Sequence, residues 1–239
     1  MQKLSRRIAL GAIGISGISM AAENAMATPR TNAVLAPPFA GLHIPKPLPF
    51  NPASLRGISE RLIVSHHDNN YVGAVNALNS VEKRLAESMQ VADFPVAIYG
   101  ALKREELIRT GSLVLHELYF QNLGGNGRRD GAIETALASA YGSSSAWEAE
   151  FRRTGMALAG GTGWCILAYN IHTKSLHNYW CLDHTNQSAM SVPLLVMDMY
   201  EHAFQMDYGA AAARYVEAFF QNINWDVVNA RLSIAQSIG

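Results

Sequence analysis

The chain has 239 residues, 49% hydrophobic and 16% charged, with 19 basic and 19 acidic side chains. That length holds one domain or two small ones, and the composition is that of a folded globular chain rather than a low-complexity or disordered one. A formal net charge of zero, with no basic tail and no aromatic–basic patch, argues against nucleic acid as a partner.

Residues 1–27 read as an export leader. Lys3, Arg6 and Arg7 precede an apolar run of 13 residues, Ile8 to Met20, which is shorter than the roughly 20 needed to span a bilayer. Ala25-Met26-Ala27 then offers a small-x-small cleavage site. Ser5-Arg6-Arg7 ahead of Ile8-Ala9-Leu10 has the twin-arginine form, a route for proteins that fold around a cofactor before export. The expected location is periplasmic or secreted, with no membrane contact once the leader is gone. Removing three bases and one acid, Glu23, turns the net charge of zero into −2.

Residues 28–54 form a proline-rich arm (Pro37-Pro38, Pro45, Pro47, Pro49, Pro52), expected to be extended, with Leu48-Pro49-Phe50 placed to dock on a surface. Ile58 to Met89 reads as one long helix, with Leu62, His66, Asn70 and Gly73 along one face. Gly73 costs about 1 kcal/mol there, which predicts a close approach by another helix. Val91 to Ala101 reads as a linker containing Pro95. Leu102 to Leu123 reads as a second helix with Leu113, His116, Phe120 and Leu123 on one face, stopped by Gly124-Gly125-Asn126-Gly127. Together these predict a helical hairpin domain over 55–128.

The pattern changes over 129–239. Helices are expected at Asp130–Tyr141 and Ser145–Met156. Strands are expected at Thr162–Tyr169, Leu176–Leu182 and Val192–Met197, the first two joined by a turn around Ile171 to Ser175. Helices return at Tyr208–Asn222 and Trp225–Ser233. The fold class is α+β, a helical hairpin followed by an α/β domain with a three-stranded antiparallel sheet.

The apolar run Pro193 to Met197 ends on Asp198, followed by Glu201 and His202. Unpaired polar groups against such a run are costly, and a metal cation would compensate them. His66 and His116 lie on apolar helix faces, where a lone histidine is more often a satisfied core residue. Three imidazoles and a carboxylate suit a mid-row metal.

Over roughly Pro47 to Leu232 the chain resembles the iron/manganese superoxide dismutases. Asp198-Met199-Tyr200-Glu201-His202-Ala203-Phe204 resembles the family's D-x-W-E-H-A-Y signature. His66-His67 with Asn76-Ala77-Leu78-Asn79 is similar to its H-H…N-N-L-N helix. His116 to Leu123 resembles H-x-x-F-W-x-N-L, and Gly161-Thr162-Gly163-Trp164 resembles G-S-G-W. Ile223-Asn224-Trp225 with Val228-Asn229 resembles the C-terminal I-N-W pattern. The resemblance implies His66, His116, Asp198 and His202 as ligands of one iron or manganese ion per chain. Superoxide is the implied substrate, and a homodimer or larger assembly the implied state. Glu201 is then expected to bond His202 of the partner subunit.

The chain departs from the family around these ligands. Ala74 stands in place of a gateway Tyr, Asn70 in place of a His, Gln205 in place of the Tyr that bonds that His, Tyr200 in place of a Trp, and Ile166 in place of another Trp. Asn70 and Gln205 could pair as amides. Tyr71 lies three residues before Ala74, about 300° round an α-helix from it. The resemblance also implies a solvent molecule as fifth ligand, and two residues compete as its outer partner, His184 by strand register and Gln187 by its N-Q context, with His184 preferred. Trp164, His184 and Tyr71 are thus the candidates for proton delivery and access, and weakened dismutation is expected. The alternative is a paralogue that keeps the metal with weak or no dismutation, or that acts on another small oxidant. Cys165 and Cys181 face each other if the hairpin turn centres near His172-Thr173, which would allow a disulfide; two buried free thiols are the favoured reading.

Overall fold

A computed structural model of the chain describes residues 36–238, so the expected leader at 1–27 and the start of the arm lie outside the described residues. The rest of the arm is extended apart from two short 3-10 turns, Pro37–Phe39 and Pro52–Ser54. It docks along the first helical stretch. The Gly41 N–H donates to Glu82 Oε2 at 2.8 Å, and the His43 backbone exchanges two hydrogen bonds with the Asn79 side chain. Leu48 and Phe50 pack on the main core. Gly124 has φ +82°, and a Cβ there would lie 2.7 Å from that of Phe50, so the arm requires glycine at this position.

The first helical stretch is not one continuous α-helix. It runs as α1 (Glu60–Ser65), a π-helical turn (His66–Tyr71) and α2 (Val72–Ser88). The Val72 N–H reaches back five residues to the His67 carbonyl. Asn69 supplies a local reason: its side-chain amide takes the Ser65 carbonyl at 3.0 Å, competing with the regular helix ladder. Gly73 on α2 faces open space, so the expected close helix approach is absent. The second helix, α3 (Val96–Gln121), starts six residues before Leu102. Pro95 is a start signal rather than part of a linker: its carbonyl accepts from Ile98 and Tyr99, both at 3.0 Å.

Two helices follow, α4 (Ala132–Tyr141) and α5 (Ser144–Met156), separated by Gly142 in the left-handed region, φ +80°. The sheet contains β1 (Trp164–Asn170), β2 (Ser175–Cys181) and β3 (Ser191–Asp198), ordered β2-β1-β3 and antiparallel throughout. Central β1 is buried along its whole length. Trp164 pairs with Cys181 on one side and Asp198 on the other. The hairpin register pairs Cys165 with Trp180, one residue short of Cys181, so the two thiols point to opposite faces of the sheet. Both are free and buried, and the disulfide does not form.

A short helix α6 (Gln205–Tyr208) ends at Gly209, φ +53°. This break delays the next helix, expected from Tyr208, to α7 (Ala212–Gln221). The last helix, α8 (Trp225–Ile238), continues past Ser233. Buried residues from both halves, among them Leu62, Tyr119, Leu167 and Phe219, join in one core cluster. The change near residue 129 is therefore a change of secondary structure, not a break in packing. Among the described residues no helix is long and apolar enough to cross a membrane.

The outer edge of β3 is held by Asn122, just past α3, which is fully buried. Its Oδ1 accepts from the Val196 N–H at 2.9 Å and from Arg231 at 3.2 Å, and its amide donates to the Leu194 carbonyl at 3.3 Å. Asn122→Ala strands these groups in the core. We expect it to lower unfolding free energy by about 2–3 kcal/mol, read from denaturant melts against the wild-type chain.

Candidate metal centre

Four separate elements deliver one side chain each to a single point. Asp198 ends β3, His116 comes from α3, His66 opens the π turn, and His202 sits in a 3-10 turn, Glu201–Ala203. The Nε2 atoms of His66, His116 and His202 lie 3.1, 3.7 and 3.2 Å from Asp198 Oδ2. All four donor atoms fall within 4.8 Å of one another. Donors held about 2 Å from a common ion stand about 3–4 Å apart, so the spacing suits one cation. His66, His116 and Asp198 are buried, and the His202 side chain is 26% exposed.

Hydrogen bonding satisfies these groups only in part: His202 Nε2 bonds Asp198 Oδ2 at 3.2 Å, and the other imidazoles gain nothing from the carboxylate. Both ring nitrogens of His66 and Nε2 of His116 are buried without a hydrogen-bond partner. His66 Nε2 is close to Asp198 but out of hydrogen-bond alignment. Buried polar atoms are normally paired, so lone pairs converging with none to spare on a carboxylate are the signature of a cation site. The remaining atoms are oriented from outside. His116 Nδ1 donates to the Ser112 carbonyl at 2.7 Å, which fixes the tautomer and leaves Nε2 as the lone-pair nitrogen. Asp198 Oδ1 accepts from the Tyr200 N–H at 2.8 Å, leaving Oδ2 for the cluster.

For His66, His116 and Asp198 the charge states agree with this assignment, and at His202 the neighbouring carboxylate favours a proton that a cation would displace. Burial pulls the pKa of His66 down and that of His116 down to about 3, favouring neutral imidazoles. Burial pushes the Asp198 carboxyl up, but His202 and His66 outweigh it and hold the group ionised, well below the usual range. At His202 burial disfavours protonation, while the charge and hydrogen bond of Asp198 reverse the balance and raise its pKa. Neutral imidazoles and an ionised carboxylate are the ligating forms, and three nitrogens plus one oxygen fit iron or manganese.

An aromatic layer flanks the cluster. Tyr200 stacks on His184 at 4.9 Å and 11° and on His202 at 5.3 Å and 20°. Trp164 Nε1 donates to His184 Nδ1 at 3.0 Å, and the His184 ring lies 6.2 Å from that of His116. The indole is a donor only, so His184 must accept at Nδ1 and carry its proton on Nε2. Burial lowers the His184 pKa and keeps it neutral. Gln187, the competing candidate, lines a separate small groove with Tyr179 and Pro193.

The other candidates are scattered. Tyr71 is buried with its ring 6.4 Å from that of His116, but its hydroxyl accepts from the Lys46 N–H at 2.8 Å and donates to Glu117 Oε1 at 2.9 Å. Burial raises that phenol to about 12. Asn70 is half-buried and Gln205 exposed. Among the described residues no hydrogen bond joins them. Glu201 is exposed beside His202. Gly111 escaped the sequence analysis: a Cβ on it would come within 2.0 Å of the His184 carbonyl oxygen, so the loop carrying His184 seats on α3 only because of this glycine. A glycine five residues before a helical histidine was the available signal.

Comparison with known proteins gives a consistent picture. Residues 129–231 match the C-terminal domain of the iron/manganese superoxide dismutases. The chain is 50% identical over 190 residues to an iron superoxide dismutase of Cupriavidus metallidurans, covering 80% of this chain and 96% of that protein. It is 36% identical over 191 residues to a manganese superoxide dismutase of Haloferax volcanii, covering 77% and 92%. It is 35% identical over 197 residues to an iron superoxide dismutase of Aquifex pyrophilus, covering 77% and 88%.

Asp198→Asn keeps the shape of the site and removes its one fixed negative charge. We expect bound metal to fall by at least about tenfold, measured by elemental analysis after gel filtration, with the circular dichroism of the fold retained.

Proposed function

The chain belongs to the iron/manganese superoxide dismutase family, and from that premise we propose that it dismutates superoxide at one iron or manganese ion per chain. The observation that carries the reading is the convergence of His66, His116, Asp198 and His202, with three of their ring nitrogens left without partners. Iron or manganese, when bound, supplies the one-electron exchange. One superoxide gives up an electron and leaves as O2. A second takes up that electron with two protons and leaves as hydrogen peroxide.

The residues around the donors hold and supply protons. His184 presents a neutral ring whose Nε2 carries the proton, because Trp164 occupies Nδ1. Tyr200 keeps that ring parallel to His202 by stacking on both. Burial of this layer limits water, which strengthens each remaining hydrogen bond to a small anion. Tyr71 has its hydroxyl committed to Lys46 and Glu117, so the proton role falls to His184.

Two finer features belong to the same proposal. The functional unit is a homodimer in which Glu201 reaches His202 of the partner subunit. Support comes from the family resemblance and from the exposed position of Glu201 beside a part-exposed His202. The protein acts in the periplasm or outside the cell after twin-arginine export. Support for that is the sequence alone: Arg6-Arg7, the short apolar run and the Ala25-Met26-Ala27 site.

The primary test is metal content together with superoxide decay on one preparation. About one iron or manganese per chain without catalysed decay would sink the dismutase reading. Trp164→Phe should keep the metal and slow turnover by about tenfold or more, with a shifted pH profile, because His184 is no longer held in one tautomer. Glu201→Ala should shift the protein from dimer toward monomer in sedimentation velocity.

A further inference from the structure

Outside the four donors, one residue of the arm contacts the neighbours of two of them. The Lys46 N–H donates to the Tyr71 hydroxyl at 2.8 Å, its carbonyl accepts from His67 Nε2 at 2.8 Å, and its ammonium pairs with Glu117. The Tyr71 hydroxyl passes on to Glu117 Oε1 at 2.9 Å and closes the circuit. His67 follows His66 directly, and Glu117 follows His116 directly. His67 and Tyr71 also lie near the two ends of the π turn.

A π turn is a poorer form of helix and persists where surrounding contacts over-determine it. The arm supplies such contacts at both ends of this turn. Tyr71 is 1% exposed and the Glu117 side chain 16%, so water competes weakly for their bond. The Lys46 ammonium is largely exposed, and such a pair contributes little alone. The weight therefore falls on the Tyr71 hydroxyl, the Glu117 carboxylate and the Lys46 backbone.

We infer that Lys46, Tyr71 and Glu117 form a clamp that positions the helices bearing His66 and His116, and that this clamp governs how long the metal is retained. The inference rests on the proposed metal reading of the four donors. None of the three bonds a donor atom, and each acts on the segments that carry His66 and His116, so they are positioning residues rather than catalytic ones. The clamp also gives the docked arm a role in the site.

The test uses metal-loaded full-length protein challenged with excess chelator at neutral pH, following metal loss and the visible spectrum of the bound ion. Tyr71→Phe and Glu117→Gln should each lose metal about tenfold faster than wild type, with an altered spectrum, in line with other groups that orient ligands indirectly. Lys46→Ala keeps both backbone bonds and should change the rate by less than about threefold. Asn79→Ala removes both hydrogen bonds of the His43 backbone but leaves Lys46 seated, and should match wild type. If Tyr71→Phe does not fold, Glu117→Gln carries the test. Wild-type rates and spectra for both Tyr71→Phe and Glu117→Gln would overturn the clamp, even if their metal-free forms melt earlier. Equal acceleration by Asn79→Ala would overturn it too, since arm docking in general would then be responsible. Wild-type protein that binds neither iron nor manganese would instead remove the metal reading beneath it.

Discussion

The fold is arranged around one buried carboxylate. Asp198 has no exposed surface, and three imidazole nitrogens approach the same oxygen, Oδ2. Four polar groups at the end of an apolar strand would be unfavourable without a cation to join them, since each brings a desolvation cost that hydrogen bonds inside the cluster do not recover. The rest of the chain can be read by how it brings these groups together. The β3 edge is pinned by Asn122 from the end of α3, the helix that also carries His116, so two of the four donors share a mechanical link. The π turn and the arm that braces it deliver the third, and a 3-10 turn after β3 delivers the fourth.

The same constraint explains the order of preference among candidates around the site. His184 reaches the cluster because Gly111 on α3 admits its loop at a distance no other residue tolerates. Gln187, three residues later, turns into a different groove. Trp164 sits opposite Asp198 across the sheet and so projects beside it, where its indole can hold His184. Sheet register thus decides which side chains face the metal, as it decides that Cys165 and Cys181 do not meet.

Much of the fold was legible from the residues. The helical hairpin, the three strands and the polar interruption at Asp198 follow from periodicity and turn residues, whereas the set of four donors is what the family resemblance implies. What was not legible has physical reasons. A π turn differs from an α-helix by one hydrogen-bond step, and the polar residues Asp68, Asn69 and Asn70 are compatible with either. Pro95 reads as linker or helix start depending on which side its apolar neighbours pack. The glycine at 73 promised a helix contact and faces open space, whereas a Cβ at Gly111, unremarked, would lie 2.0 Å from a backbone oxygen. A glycine shows that a Cβ is missing, not whether anything approaches. Lys46 could not be found at all, because two of its three contacts are made by backbone atoms.

That last point bears on how the site tolerates its unusual surroundings. The groups that aim the ligands are main-chain: the Tyr200 N–H holds Asp198 Oδ1, and the Ser112 carbonyl holds His116 Nδ1. The first does not depend on the side chain at its own position, whereas at 112 the Ser hydroxyl also lies 3.3 Å from His116 Nδ1. Tyrosine can therefore stand at 200, where the family resemblance leads one to expect tryptophan, without losing the bond that aims Asp198. Substitution is felt instead where a side chain does the holding, as with Trp164 on His184. The donor set is thus aimed largely by backbone geometry and burial, while His184 is held by a side chain. The departures from the family pattern at Asn70, Ala74, Ile166, Tyr200 and Gln205 leave the four donors converging on one point.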